Sequence, residues 1–207
     1  MTTEQYTYVI ENTIYFLALI NPASKIFVLS TMQPPYSWKE LSDVSLRSTL
    51  VAFLILLILT ATGKFLLVSI FHVQMYSLNV AGGIILFIIG LTAVRKGIFF
   101  EENALRKVSE ISIVPLASPL IAGPGTITAA IYFASRHGFI LTVLCLSLAL
   151  FINFLIMLSS LHIGRGLERV NATGPIIKIT GLIVSAVATQ MVFSGIETWV
   201  IQILRMK

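Results

Sequence analysis

Two prolines interrupt long apolar stretches of this chain, and the residues around them are its best candidates for chemistry. The first stands in Asn21-Pro22-Ala23-Ser24 and the second in Gly123-Pro124-Gly125-Thr126. Proline lacks a backbone N–H and crowds the carbonyl one turn back, so a helix opens at such a point. The segment that ends there offers free carbonyls, and the segment that begins offers free N–H groups. The beginning segment also carries the positive end of its dipole, which suits a carboxylate. Asn21, Pro22, Ser24, Gly123, Pro124, Gly125 and Thr126 are therefore the candidate solute-binding residues. Ser24 and Thr126 add hydroxyls, and the glycines beside Pro124 leave room for a compact ligand.

Other chemistries find no footing. Zinc would want a cluster such as His-Glu-x-x-His, whereas His72, His137 and His162 are scattered. A serine nucleophile needs a base within reach, and none stands at a suggestive spacing. The chain has no Gly-x-x-x-x-Gly-Lys-Ser/Thr phosphate loop, which excludes an ATP-driven pump acting alone. Cys145 has no second cysteine to pair with and reads as a small packed apolar residue. No catalytic residue, metal or cofactor is expected, and the chain is not read as an enzyme.

The elements that must position the two prolines are set by composition. Of the 207 residues, 57% are hydrophobic and only 11% charged, too few charges to wet the surface of a soluble domain. The net charge of +5 is spread over short gaps between apolar runs, which speaks for orientation in a bilayer and against nucleic-acid binding. Six runs are long enough to cross: Tyr6–Met32, Ser48–Phe71, Val73–Val94, Ile111–Ser135, Gly138–Gly164 and Gly174–Leu204. They are too long for barrel strands, so the fold class is an all-α integral membrane protein. The first run lacks the basic flank of a cleaved signal and is kept as a span.

With six spans, the first, third and fifth loops share one side and hold nine Lys and Arg residues against four on the other, Lys25 left aside. The positive-inside rule then puts both termini on the periplasmic side of a bacterial inner membrane. Trp38 and Trp199 fall near span ends, where indole rings anchor at headgroups.

The second half of the chain repeats the first. Asn21–Ser24 falls on Gly123–Thr126 at an offset of 102, Gly63-Lys64 on Gly164-Arg165 at 101, and Ala81-Gly82 on Thr180-Gly181 at 99. Residues 1–96 form one three-helix repeat, 97–110 a charged cytoplasmic linker, and 111–207 a second repeat. Three spans per half force the second copy to enter the membrane inverted, the plan of secondary transporters with midplane sites on broken helices. Helices 1 and 4 are the broken ones, at Asn-Pro and Gly-Pro-Gly, with Pro115 and Pro119 disturbing the second further. Gly83, Gly90 and Gly97, and Gly181 with Ser185, read as stripes where helix backbones approach closely.

These motifs resemble the MarC family of bacterial and archaeal membrane proteins. The likeness rests on Asn-Pro-x-Ser in the first span, Ala-Gly-Gly-Ile-x-Leu-Phe at Ala81–Phe87, and the proline-glycine run at Pro115–Gly125. Ala-Thr-Gln-Met at Ala188–Met191 is similar too, and this places Gln190 among the candidate substrate-binding residues. The resemblance implies a six-span carrier or exporter related to SnatA-type transporters of small neutral amino acids. The partners would be the lipid bilayer, such an amino acid, and a coupling ion, proton or sodium. Lys25 departs from the family, where a glycine and then an uncharged residue more often follow the proline pair. Two alternatives stay open: a channel for small neutral solutes, for which Asn21-Pro22-Ala23 matches the aquaporin triplet, and a membrane protein without transport activity of its own.

Three further expectations concern polar groups. Lys25 is expected to snorkel toward water or a carbonyl at the cytoplasmic side. Asn79, Asn153 and Gln190 are expected to face the bundle interior, held by interhelical hydrogen bonds. Glu197 is the lone carboxylate well inside the last span, so a buried carboxylate proton relay has little support.

Overall fold

The computed structural model describes residues 3–30, 36–97, 121–169 and 172–205, and every element in them is helical. The helices are α1 (Thr3–Ile20), α2 (Pro22–Ser30), α3 (Trp38–Lys64), α4 (Met75–Lys96), α5 (Pro124–His137), α6 (Phe139–Leu158), α7 (Ser160–Arg169) and α8 (Thr173–Arg205). Among the described residues, α3, α4, α6 and α8 are each long and apolar enough to cross a membrane. The pair α1 and α2, bent by 41° at Asn21, makes a fifth candidate span. Of the expected fourth span, residues 111–120 lie outside the described residues, as do Pro115, Pro119 and nearly all of the 97–110 linker.

The helices are arranged apolar side out. On α3 the buried face reads Leu41, Ser45, Ser48, Ala52, Leu56, Thr60, Gly63, while Leu46, Leu50, Leu54 and Ile58 are exposed. Small and hydroxylated residues face neighbouring helices and the bulky aliphatics face away. A water-soluble core shows the opposite order. Lipid rewards this one, because tails solvate leucine while close backbone packing holds the bundle.

The closest packing joins α4 and α8, which run antiparallel. A Cβ on Gly90 would lie 2.8 Å from the Gly181 carbonyl, and one on Gly195 would lie 2.8 Å from the Tyr76 carbonyl. Gly83 meets Ala188 and Val192 in the same way. The small-residue stripes on these two helices therefore do pack as the sequence suggests, with one exception. Gly97 makes no close approach, since a Cβ there would meet only Lys178 Cε at 3.9 Å; it ends α4 in a left-handed turn with φ 70° and its N–H donates to the Ala93 carbonyl.

Contacts between the halves come in exchanged pairs. A Cβ on Gly63, in α3, would collide with Ile131 of α5, and a Cβ on Gly164, in α7, would collide with Ser30 of α2. The repeat offset of 101 carries the first pair onto the second. This exchange, with antiparallel α4 and α8, is compatible with two inverted halves.

Two spans differ from the sequence expectation. The second helix starts ten residues early, at Trp38, because Ser37 and Glu40 form a reciprocal capping box: the Ser37 N–H donates to Glu40 Oε2 at 2.8 Å, and the Glu40 N–H to Ser37 Oγ at 3.3 Å. Its charged first turns, with Arg47 donating to Asp43 at 2.8 Å, are helix and not loop. The helix ends in a π-helical turn, Phe65–Ile70. The fifth span stops at Leu158, where Ser159 ends α6, and the polar residues of α7 follow as a separate amphipathic helix.

Candidate functional site

The first break is built by Asn21. Its φ of 56° is left-handed, a conformation that asparagine tolerates better than other non-glycine residues. Its N–H donates to the Leu17 carbonyl at 2.9 Å, the bond that closes α1 in an αL cap. Pro22 then opens α2, since proline needs no N–H partner at a first helical position. The Asn21 carbonyl accepts from Ser24 twice, from the backbone N–H at 3.2 Å and from Oγ at 2.8 Å. Asn21 Oδ1 is buried and, among the described residues, accepts from nothing. A buried amide oxygen without a donor is costly, and this one is an acceptor left open at the break.

Lys25 does not snorkel. Its side chain is wholly buried, and Nζ donates to the Ile20 carbonyl and, at 3.3 Å, to the Asn21 carbonyl. The expected carbonyl contact is present, but it is made to the break itself and not at a membrane surface. From the first turn of α2 the side chain folds back onto the end of α1, whose freed carbonyls and negative dipole end attract an ammonium more strongly than the distant water could.

The second break has no capping side chain. Gly123 precedes α5 in extended conformation, φ −80° and ψ 170°, with no side-chain cap, and Pro124 takes the first helical position. The N–H groups of Gly125 and Thr126 stand in the first turn, where a helix supplies no partner. Gly125 and Thr126 are buried. Helix α4 seats this turn: a Cβ on Gly125 would press on Leu86, and one on Gly82 would press on Thr128. The Ala-Gly-Gly-Ile-x-Leu-Phe run therefore serves the second break directly.

The two breaks share one core. Leu19 and Ile20 before the first and Ile121 and Ala122 before the second belong to one continuous apolar cluster. An aromatic ladder sets their relative height. Tyr8 stacks on His137 with ring centres 4.9 Å apart, and Phe16 on Phe133 at 5.4 Å, so α1 and α5 run antiparallel. Both breaks lie beyond the Phe16–Phe133 contact, Asn21 five residues on from Phe16 and Pro124 nine residues back from Phe133.

Gln190 lies on the last helix. It is exposed on α8 and its Nε2 donates to Ser194 Oγ at 3.5 Å. The expectation that it faces the interior fails because Gly181, Ser185, Ala188 and Gly195 give the inner face of α8 to contact with α4. Gln190, two residues past Ala188, is turned away. Asn79 and Asn153 are buried as expected. The Asn153 amide, however, donates within its own helix, to Met157 Sδ at 3.2 Å, and its Oδ1 accepts from nothing. Glu197 is exposed.

Several buried polar residues escaped the sequence reading. Ser45 and Ser48 on α3 and Ser160 on α7 each bury a hydroxyl that has no hydrogen-bond partner among the described residues. Their signal is polar residues at helical spacing on the inner face of an apolar segment. For Ser45 the expected start of the second span at Ser48 hides it.

Comparison with known proteins gives one consistent result. The pattern of the MarC family of integral membrane proteins matches residues 6–200. A UPF0056 membrane protein of Pyrococcus horikoshii is 32% identical over 197 residues, 95% of this chain and 97% of the relative. UPF0056 membrane proteins of Methanocaldococcus jannaschii and Aquifex aeolicus are 33% and 30% identical, each over 191 residues and 87% of this chain. No solved structure matches the chain.

Proposed function

Since this chain belongs to the MarC family of integral membrane proteins, we propose that it is a multi-pass secondary carrier of small neutral amino acids whose substrate sits between the two helix breaks. The observation that supports this reading is the chemical difference between the breaks. The first presents oxygen acceptors, among them the unpartnered Asn21 Oδ1. The second presents the uncapped N-terminus of α5, with its N–H donors and positive dipole end. A zwitterion is complementary to that pair: its ammonium goes to Asn21 and its carboxylate to Gly125 and Thr126, with the Ser24 and Thr126 hydroxyls beside them. Gly125 is already in contact with Leu86, which limits the side chain to something small. The asymmetry of Lys and Arg between loops supports both termini outside the cytoplasm. The orientation belongs to a bacterial inner membrane.

Uptake into proteoliposomes tests the reading. Radiolabelled alanine, serine and glycine should enter saturably, with L-alanine preferred over D-alanine, under an imposed proton gradient or by counterflow. Flux that does not saturate, or osmotic water flow without amino-acid uptake, would contradict it.

A further inference from the structure

Lys25 has no role in the carrier reading above, yet it is the most unusual side chain in the bundle. Every other described lysine or arginine side chain is exposed, whereas Lys25 is 0% exposed. A charge in such a place needs compensation from close at hand. The Ile20 and Asn21 carbonyls, at the negative end of the α1 dipole, accept from its ammonium. The same corner holds Ser24 Oγ, 2.8 Å from the Asn21 carbonyl oxygen, while Asn21 Oδ1 takes nothing from the lysine. Backbone carbonyl and hydroxyl oxygens gathered at a helix break are what a hard monovalent cation takes as ligands. Here an ammonium on a four-carbon tether is already in their midst.

We propose that the Lys25 ammonium is the resident cation of this oxygen cluster, standing where an alkali-metal ion would otherwise bind, so that the protein needs no sodium at its first break. The claim deepens the carrier reading by assigning the charge of that same site. It is tested through stability, so each can fail without the other. Removing the ammonium while leaving space should convert the cluster into a sodium site. Removing it while filling the space should not.

The experiment measures thermal unfolding of the purified full-length protein in detergent, in sodium, potassium and choline chloride at equal ionic strength. The natural chain should melt at the same temperature in all three. Lys25→Ala should melt lower in choline and recover by about 3 °C or more in sodium, as expected when an ion binds only the folded state. Lys25→Met, whose side chain covers the carbonyls, should stay low in every salt. If Lys25→Ala survives purification only in sodium, that also supports the proposal; if it is lost in sodium and choline alike, the proposal falls. A sodium-specific rise in the natural chain, or a Lys25→Ala melt indifferent to sodium, overturns it.

Discussion

The two helix breaks occupy matching places in the two halves, yet they are made by opposite means. The first depends on side chains: a left-handed asparagine caps α1, a serine hydroxyl returns to its carbonyl, and a lysine is drawn back over the end of the helix. The second depends on missing side chains: Gly123 is plainly extended, Pro124 and Gly125 follow, and the turn is held from outside by Leu86 and Gly82 of α4. A broken helix thus has two stable solutions in a membrane. One satisfies the freed backbone from within the segment, and the other gives its first-turn N–H donors no side-chain cap and lets a neighbouring helix fix their place. In the proposed carrier, one acceptor-rich and one donor-rich break would suit a zwitterion better than two copies of either.

The contrast is broken most severely at Asn21. Valine there would hold a β-branched side chain at a positive φ, and stability in detergent should fall by about 2–3 kcal/mol. Glycine accepts the same backbone and should keep the fold, while uptake falls about tenfold or more because Oδ1 is gone. Equal stability of the two variants would mean that the left-handed turn is not what opens the first helix.

At the second break the sensitive partner lies on another helix. Gly125→Ala would place its Cβ 2.9 Å from a Leu86 methyl and should cost about 1–3 kcal/mol by overpacking. Leu86→Ala in the same chain should relieve part of that cost, with a coupling of about 0.5–1 kcal/mol in a double-mutant cycle of thermal melts. Additive losses would detach α4 from the seating of α5.

Smaller effects distinguish the hydroxyls. Ser24→Ala and Thr126→Val should each raise the KM for uptake about three- to tenfold without lowering stability as far as Asn21→Val does. A fall in the yield of folded protein with KM unchanged would assign them to packing. The weakest effect lies at the far end of α5. Burial first, and then the neighbouring Arg136 charge, hold the His137 imidazole below its ordinary value of 6.5. A base whose folded value is depressed loses stability as pH falls through 6.5, because the unfolded chain takes up the proton more readily. The melting temperature should therefore decline slightly below that pH, and His137→Phe, which keeps the stacking on Tyr8, should remove the decline.

The sequence made the architecture legible because lipid imposes simple rules: spans are long apolar runs, and prolines within them are breaks. Gly83, Gly90 and Gly181 are recognisable as contact points for the same reason, since a close helix approach requires a small residue, whereas Gly63 and Gly164 show in the sequence only as repeat partners. Side chains whose direction depends on tertiary partners were harder to read. Lys25 obeys a local attraction to freed carbonyls that composition does not reveal. Gln190 lies in a family-like run but falls on the face that the glycines of α8 leave over. The charges between Lys39 and Arg47 suggest a loop, although Ser37 and Glu40 carry the spacing of the capping box that starts α3 at Trp38.

The central claim is that the breaks form one solute site, and it meets its most direct test in cysteines placed at Ser24 and Thr126 with Cys145 replaced by alanine. Both hydroxyls are buried in this conformation, so reaction with a water-soluble thiol reagent reports the open states that a carrier must visit. Both positions should label in membranes, and L-alanine or L-serine should slow both reactions over the same concentration range. Protection at one position without the other, or no labelling at either from either side of the membrane, would contradict a shared site.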